Sequence, residues 1–446
     1  MSRYQKYPAY RDSGVEWIGE IPAHWEVTKI RFYYDVQLGK MLQPESKTES
    51  DSEIKYLKAQ HVQWNQINHD DLPTMWATER EIEKFSVQQG DLLICEGGEV
   101  GRAALLIDTM DVCIIQNALH RVRAKEKTCV KYLQYFMQHV SNALWFDILC
   151  NKATIAHLTG EKLAALEFPL PTLAEQQAIA SFLDRKTAEI DELITKKETL
   201  LKKLDEKRTA LITRAVTKGL DPSAPMKNSG VAWLGEIPKH WEVKQTRNIF
   251  KIYSGSTPRN GEELFWDGDI VWFTPEDLGN NQQKNISESR RKITEEGYKS
   301  CGTSLAKSNS VVLSTRAPIG HFALSTVPAC CNQGCRILEP ENGIPEYWYY
   351  TLLSAKPILQ CLGQGSTFME LPRQSLAGFK LPVPPLEEQQ AIAVQIEKKT
   401  ATIDRQKAQV TEAIERLKEY RSALITDAVT GKMDVQLHEK KEILSA

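Results

Sequence analysis

"GVEWIGEIPAHWEV" occupies Gly14–Val27, and "GVAWLGEIPKHWEV" occupies Gly230–Val243, 216 positions on (230 − 14). Two Trp, a Gly and an Ile-Pro-x-His-Trp-Glu-Val core in fixed register mark either a local cap used twice or a duplication of the whole chain. The match continues at Arg31 and Arg247, at Phe32 and Phe250 one residue out of step, and at Gly39 and Gly255. It returns mid-chain, where "TIAHLTGEKLAALEFPLPTLAEQQAIA" (Thr154–Ala180) aligns with "TFMELPRQSLAGFKLPVPPLEEQQAIA" (Thr367–Ala393). It persists through "RTALITRAVTKG" (Arg208–Gly219) and "RSALITDAVTGK" (Arg421–Lys432). The chain is therefore two copies of one module, and such a repeat must be read before any single element.

Between these landmarks the copies diverge. Residues 40–150 and 256–360 share only scraps, such as "GDLLICEGGEVGRAAL" against "SNSVVLSTRAPIGHFAL" and Gln116 against Gln333. Both interiors mix short apolar, β-branched runs (Asp91–Cys95, Val112–Ile115, Ile270–Phe273, Ser310–Ser314) with Gly, Pro and Asn turns. Helices are expected at Val130–Val140 and Glu346–Leu353. Each interior reads as a mixed α/β domain with a curved sheet. Two readings stay open: one scaffold carrying two unlike recognition surfaces, or ordinary drift after duplication.

From Leu173 to about Thr217 the chain has no Pro or Gly. Apolar residues recur in alternating steps of three and four at Ile179, Leu183, Ile190, Leu193, Leu200, Leu204 and Leu211. The second copy repeats them at Ile392, Ile396, Ile403, Val410, Ala413, Leu417 and Leu424. That step is a coiled-coil seam. Thr172 with Glu175 makes a capping box, Pro385 replaces the cap in the second copy, and Gly219 and Gly431 stand where a helix stops. Lys186 and Lys399 fall on matching seam positions, as do the polar Lys197 and the apolar Val410. A seam this long outruns a small domain, so the two helices are expected to pack antiparallel, with a globular domain at each end. The alternative is two separate helices that recruit other chains. The expected organisation is a first domain at 1–171, a first spacer helix at 172–219, a linker and second domain at 220–384, a second spacer helix at 385–432 and a tail at 433–446. The fold class is α+β, two mixed α/β recognition domains with two long antiparallel coiled-coil helices in a pseudo-two-fold repeat.

At 446 residues, 41% hydrophobic and 26% charged, the chain has the composition of a soluble globular protein of two to four domains. No apolar run reaches the length of a membrane span. The opening residues "MSRYQKYPAYRDSG" carry no apolar core, so no secretion signal is expected and the location is read as cytoplasmic. Nine Cys form no C-x-x-C pair, and Cys330, Cys331 and Cys335 cluster without a completing His pair, so reduced thiols and no metal are expected. The net charge of −2 argues against a free-standing nonspecific nucleic-acid binder but leaves room for a basic face.

Catalytic signatures are absent. There is no phosphate loop, no G-x-G-x-x-G after a strand, no G-x-S-x-G turn, no H-E-x-x-H and no Asn-Pro-Pro-Tyr or Asp-Pro-Pro-Tyr turn. His24 and His240 recur beside Trp25 and Trp241, and without a nucleophile or carboxylate repeating at a sensible spacing they read as structural.

"SGVEWIGEIPAHWEV", "PLPTLAEQQAIA", "RTALITRAVTKG" and their second copies resemble the DNA-specificity subunit of type I restriction–modification systems. "SGSTPRNGEELFWDGDIVWFTPEDLG" (Ser254–Gly279) is similar to the opening of a target-recognition domain in that family. The resemblance covers nearly the whole chain and departs from the pattern at Pro385. It implies that each interior reads one half of a split double-stranded DNA site, with the paired helices as a ruler for the unread spacer. It also implies two methylase subunits that modify adenine N6 with S-adenosylmethionine, and two motor–nuclease subunits that use ATP and Mg²⁺. This chain would bind no cofactor itself.

Base readout needs Arg, Lys, Asn or Gln at base edges, with Ser, Thr and backbone groups at phosphates. Candidates in polar, Gly-flanked loops of the first domain are Lys40, Lys58, Gln60, His61, Gln63, Asn65, Arg102, Asn117, His120 and Lys152. In the second they are Ser256, Thr257, Arg259, Asn260, Arg316, His321, Gln333, Gln364 and Thr367. Two rivals from other classes are a two-headed structural adaptor, which would bind no split DNA motif, and a self-contained nuclease, which would need a carboxylate cluster the sequence does not supply.

Overall fold

The computed structural model describes residues 5–108, 111–125, 128–149, 157–316, 318–365 and 369–437. The chain divides into two compact units. One holds residues 1–197 and 412–446, and the other holds residues 198–411. Each unit thus combines the interior of one repeat with the last turns of the other repeat's long helix.

In the first unit, β1 (Tyr34–Leu38), β2 (Ser52–Leu57), β3 (Thr74–Ala77), β4 (Leu92–Cys95), β5 (Ala103–Leu105), β6 (Cys113–Ile115) and β7 (Leu119–Ala124) form two sheets. One has the order β5-β4-β7-β1 and is antiparallel throughout. The other has the order β6-β2-β3, with β6 parallel and β3 antiparallel to β2. The run Leu92–Cys95 is buried at every position, as befits a strand covered on both faces. A helix at Val130–Asn142 covers the first sheet and buries Tyr132, Leu133, Tyr135, Phe136, Met137 and Val140.

The second unit repeats this plan. Its strands are β8 (Phe250–Ser254), β9 (Trp266–Phe273), β10 (Asn285–Ile286), β11 (Lys292–Ile293), β12 (Ser310–Ser314), β13 (Phe322–Ser325), β14 (Ala329–Cys331) and β15 (Cys335–Pro340). The sheet orders are β8-β15-β12-β13-β10 and β11-β9-β14. A helix at Pro345–Ser354 plays the covering part. The expected β-runs and both interior helices are therefore present, each within a few residues of its expected bounds.

The repeated motifs are the frame of each unit. Trp25 is buried, and its Nε1 donates to Glu175 Oε1 at 3.1 Å, while His24 Nε2 meets the same oxygen at 2.8 Å. Trp241 Nε1 and His240 Nε2 meet Glu388 Oε2 at 2.9 and 2.8 Å. The recurring His-Trp pair hydrogen-bonds to a repeating carboxylate, the Glu of each "EQQ", which the sequence reading missed. Burial alone would raise the Glu175 carboxyl. The hydrogen bonds from His24, Thr172 and Trp25 outweigh it and hold the group below its ordinary value. The next residue ties down the covering helix. Gln176 accepts from Cys129 N–H at 2.9 Å and donates to Pro171 O, and Gln389 accepts from Ile344 N–H at 3.0 Å and donates to Pro384 O.

The long helices run Leu173–Lys218 and Leu386–Val429. The Thr172–Glu175 capping box is formed, and Gly219 and Gly431 close the helices at φ of 74° and 73°. Within the first unit the helix segments run antiparallel. Val429 O accepts from Tyr132 O–H beside Pro169, whereas Arg421 pairs with Asp191 at 2.9 Å. Within the second unit they are antiparallel again. Val216 O lies by Tyr347 and Pro382, and Arg208 pairs with Asp404 at 3.2 Å. Each unit's core joins helix end to opening segment. Leu424, Ile425, Ala428 and Val429 pack with Ile18, Ile21 and Trp25, and Ile212, Ala215 and Val216 pack with Leu234, Ile237 and Trp241.

Two details of the seam differ from expectation. Leu193 and Leu200 are largely exposed, because the seam passes one residue to their side, through Ile190, Ile194 and Leu204. The buried polar seam residues are Thr187 and Thr400, whose hydroxyls donate to Leu183 O and Ile396 O one turn back, rather than Lys186 and Lys399. Lys186 instead pairs with Glu189 at 3.3 Å. Among the described residues no helix is long and apolar enough to cross a membrane.

Candidate nucleic-acid interface

In each unit one edge of the larger sheet gathers the loops that carry the candidate residues. The C-terminal ends of β1 and β4 and the N-terminal ends of β5 and β7 meet there, because neighbouring strands in the order β5-β4-β7-β1 alternate in direction. In the second unit the ends of β8, β12, β13 and β15 do the same.

Gly39 and Gly255 start these loops at positions where a side chain cannot exist. A Cβ on Gly39 would stand 2.3 Å from Gln116 O, and one on Gly255 would stand 1.9 Å from Asn332 O. The backbone then turns alike in both units. Lys40 N–H donates to Ile115 O at 2.8 Å, and Ser256 N–H donates to Cys331 O at 3.0 Å.

What hangs on this common backbone differs. In the first unit Lys40 is buried, and its ammonium binds Glu81 at 2.6 Å and Gln43 at 3.1 Å. The Lys40 bond, then the Thr78 N–H, holds the Glu81 carboxyl below its ordinary value despite burial. Asn117 N–H donates to Lys40 O. Arg102 reaches Ala59 O at 2.9 Å and Glu99 at 3.0 Å, which brings it beside the segment Lys58–Asn65. There Gln60 and Gln63 are exposed, and His61 is buried, accepting from Lys58 N–H at 3.1 Å. Asn65, at φ 63°, accepts from Gln134 at 2.5 Å. His120 is fully buried with Nε2 on Leu158 O at 2.7 Å, and its Nδ1 has no partner among the described residues. Burial lowers the His61 and His120 imidazoles, so both are neutral at neutral pH. Lys152 lies outside the described residues.

In the second unit Thr257 Oγ1 donates to Gln333 at 2.5 Å, on an exposed surface. Ser256 O accepts from Trp272 Nε1 at 3.0 Å. Arg259 and Asn260 are exposed further along the same loop. Arg316 pairs with Glu370, and Gln364 bonds the Glu370 backbone. His321 is half-buried, and burial, then Lys356, lowers its imidazole. Thr367 lies outside the described residues. The edge thus assembles Ser256, Thr257, Arg316, His321, Gln333 and Gln364, and further along the Ser256 loop Arg259 O accepts from Trp266 Nε1 at 3.1 Å.

Two charged residues of this edge, Glu370 and Arg336, escaped the sequence reading. A signal for Glu370 was present, because the aligned "TIAHL" and "TFMEL" put His157 opposite Glu370. Cys330, Cys331 and Cys335 lie inside the second unit's cores. Burial pushes the Cys330 thiol up to about 12 and raises the other two. Among the described residues no group of three or more His, Cys, Asp or Glu side chains could hold a metal ion.

The chain is similar to known proteins in both halves. The type I restriction modification DNA specificity domain matches twice, at residues 22–203 and 238–416. The type I restriction enzyme MjaIX specificity subunit of Methanocaldococcus jannaschii is 39% identical over 163 residues, 36% of this chain and 38% of that protein. The putative type I restriction enzyme MjaX specificity subunit of the same organism is 27% identical over 396 residues, 84% of this chain and 87% of that protein. The EcoR124I/EcoR124II specificity subunit of Escherichia coli is 28% identical over 284 residues, 61% of this chain and 63% of that protein. Among solved structures, a chain from work on complex assembly and conformational transition of the type I R-M system has a TM-score of 0.72 at 16% identity, over 92% of this chain and 98% of that one. The HsdS subunit from Thermoanaerobacter tengcongensis has a TM-score of 0.55 at 16% identity, over 93% and 98%. At that identity the structures speak for the fold, and the two domain matches speak for the lineage: this chain belongs to the type I restriction modification DNA specificity family, and it is a DNA sequence-recognition subunit.

Proposed function

We propose that this chain is the noncatalytic reader of a type I restriction–modification assembly and that each unit reads one half of a split double-stranded DNA target. The observation that carries the proposal is the pair of reading edges, alike in backbone and unlike in side chains. Two equivalent loops held by Gly39 and Gly255 carry a buried lysine tied to Glu81 in the first unit and a Ser-Thr-Gln cluster in the second. A frame kept constant under variable polar loops is what reading two different half-sites requires, since specificity comes from side chains at base edges while the fold sets their register.

In this reading the exposed Gln60 and Gln63 and the partly buried Arg102 and Asn117 of the first unit face DNA, with Lys58 and Asn65 at its margin. Lys40, His61 and His120, buried and hydrogen-bonded, position the loops. In the second unit Ser256, Thr257, Arg259, Asn260, Arg316, His321, Gln333 and Gln364 face DNA. Lys152 and Thr367, outside the described residues, stay candidates on their residue type alone. The long helices set the unread spacer and receive two methylase subunits, which supply adenine-N6 methylation with S-adenosylmethionine. Two motor–nuclease subunits supply ATP- and Mg²⁺-dependent cleavage. The net charge of −2 fits a reader whose partners help clamp the duplex.

The test is binding selection from random duplexes by this chain purified with its methylase. Enrichment of one sequence with two defined blocks around an undefined spacer supports the reading. Retention of all duplexes alike would return the chain to the class of structural adaptors.

A further inference from the structure

Three charged side chains meet at the reading edge of the second unit. Arg316 Nε donates to Glu370 Oε2 at 3.0 Å, and the Arg336 guanidinium lies 3.8 Å from Glu370 Oε1. The backbone fixes the meeting. Arg316 and Glu370 face each other in an antiparallel bridge, and Glu370 and Gln364 exchange N–H···O bonds of 2.9 Å. Leu371 N–H donates to Thr315 O at 2.8 Å. The Arg316 side chain is still 47% exposed, and its two terminal nitrogens make no hydrogen bond among the described residues.

A guanidinium gripped through Nε alone keeps its end-on pair of N–H donors free and loses the freedom to rotate. That pair matches O6 and N7 on the major-groove edge of guanine. The same fork also fits two phosphate oxygens. The carboxylate at 3.0 Å would oppose that contact, because it cancels the charge that attracts phosphate. We propose that Arg316 reads a guanine in the half-site taken by the second unit, with Glu370 as its positioning residue. This rests on the DNA-reading function proposed above and adds the base.

The first unit shows the same place without the fork. Leu158 N–H donates to Glu96 O at 2.8 Å, repeating Leu371 and Thr315. Gly97 and His157 stand where Arg316 and Glu370 stand, and a Cβ on Gly97 would lie 3.5 Å from His157 Nδ1. His120 takes the place of Arg336, one residue into the equivalent strand. The first unit therefore has no guanidinium at this position, and the two half-sites differ there.

The experiment uses the full chain with its methylase and the duplex it selects. Each guanine of the second unit's half-site is replaced in turn by 7-deazaguanine, which removes the N7 acceptor. One replacement should weaken binding by the wild-type complex about ten-fold, within the range expected for half of a good bidentate contact. Arg316→Ala should weaken binding about ten-fold to a hundred-fold, accept all four bases at that one position and make the deaza substitution silent. Arg316→Lys should not restore the preference, since an ammonium has no fork. Glu370→Ala should relax the same position, and Glu370→Gln, which keeps an oxygen for Nε, should retain it.

Half-site preference in the first unit's block and the melting temperature serve as folding controls. A wild-type complex indifferent to every 7-deazaguanine overturns the proposal without any variant. So does an Arg316→Ala complex weakened equally on all sequences with a shallower salt dependence, which marks a phosphate contact. Failure of the wild type to select any split sequence sinks the underlying reading instead, which keeps the two failures apart.

Discussion

Glu175 is bound by His24, Trp25 and Thr172 at once, and Glu388 repeats the grip with His240 and Trp241. Removing such a carboxylate strands a buried indole N–H, so Glu175→Ala and Glu388→Ala should each cost about 1–3 kcal/mol in a urea melt. Because the folded Glu175 carboxyl lies below its unfolded value, its contribution is complete above the unfolded value and is lost as pH falls through the folded one. His139 adds an acid sensitivity at higher pH. Burial, then Lys432, lowers its imidazole from 6.5 to about 4, its Nδ1 meets Thr426 Oγ1 at 3.0 Å, and its Nε2 is buried without a partner among the described residues. The folded form stays neutral while the unfolded form takes a proton below about 6.5, so stability is lost as pH falls from 6.5 towards 4. The loss approaches about 3 kcal/mol, and His139→Gln should flatten the melting temperature across that window. Recurrence of His and Trp was legible in the sequence, but their carboxylate was not, since Glu175 lies 151 residues from His24 and only the fold joins them.

The two long helices are held by their apolar seam rather than by their ion pairs. In the Asp191–Arg421 and Arg208–Asp404 pairs the carboxylates are about half exposed, at 54% and 52%, and pairs open to solvent on one side contribute about 0–1 kcal/mol. Ile190 and Leu424 are buried in the first unit's core. Ile190→Ala or Leu424→Ala should therefore destabilise by roughly 2–5 kcal/mol, while Asp191→Ala should stay within about 1 kcal/mol, both read by chemical denaturation. The three-four step of apolar residues was enough to find the helices and their stops. It was not enough to place the seam, because a Leu one position off the stripe, such as Leu193 or Leu200, carries the same hydropathy as one on it. Thr187 and Thr400 were missed because a hydroxyl that bonds its own previous turn is cheap to bury, and composition gives no sign of it. The interior strands were legible as apolar runs between turns, but their pairing, including the parallel β6-β2 and β14-β9 ladders, depends on contacts far apart in sequence.

At the scale of the whole molecule, the duplication fixed the plan. What it left open was which piece packs on which, because an opening segment meets its own repeat's helix start and the other repeat's helix end. If the helices set the unread spacer, a matched heptad added to both, within 194–204 and 407–417, should lengthen it by about three base pairs. That follows from 1.5 Å per helical residue against about 3.4 Å per base pair, and binding selection would report it with both half-site blocks unchanged. Which loop residues touch bases was the least legible feature, since a polar side chain in a Gly-rich loop reads the same whether it is engaged, like Lys40 with Glu81, or open, like the end of Arg316. The most direct test of two reading heads is a genome-wide map of N6-methyladenine in cells that express this chain with its methylase. The account predicts one split motif, with a methylated adenine in each half and an unread gap of constant length. A single continuous motif, or no methylation that depends on this chain, would contradict it.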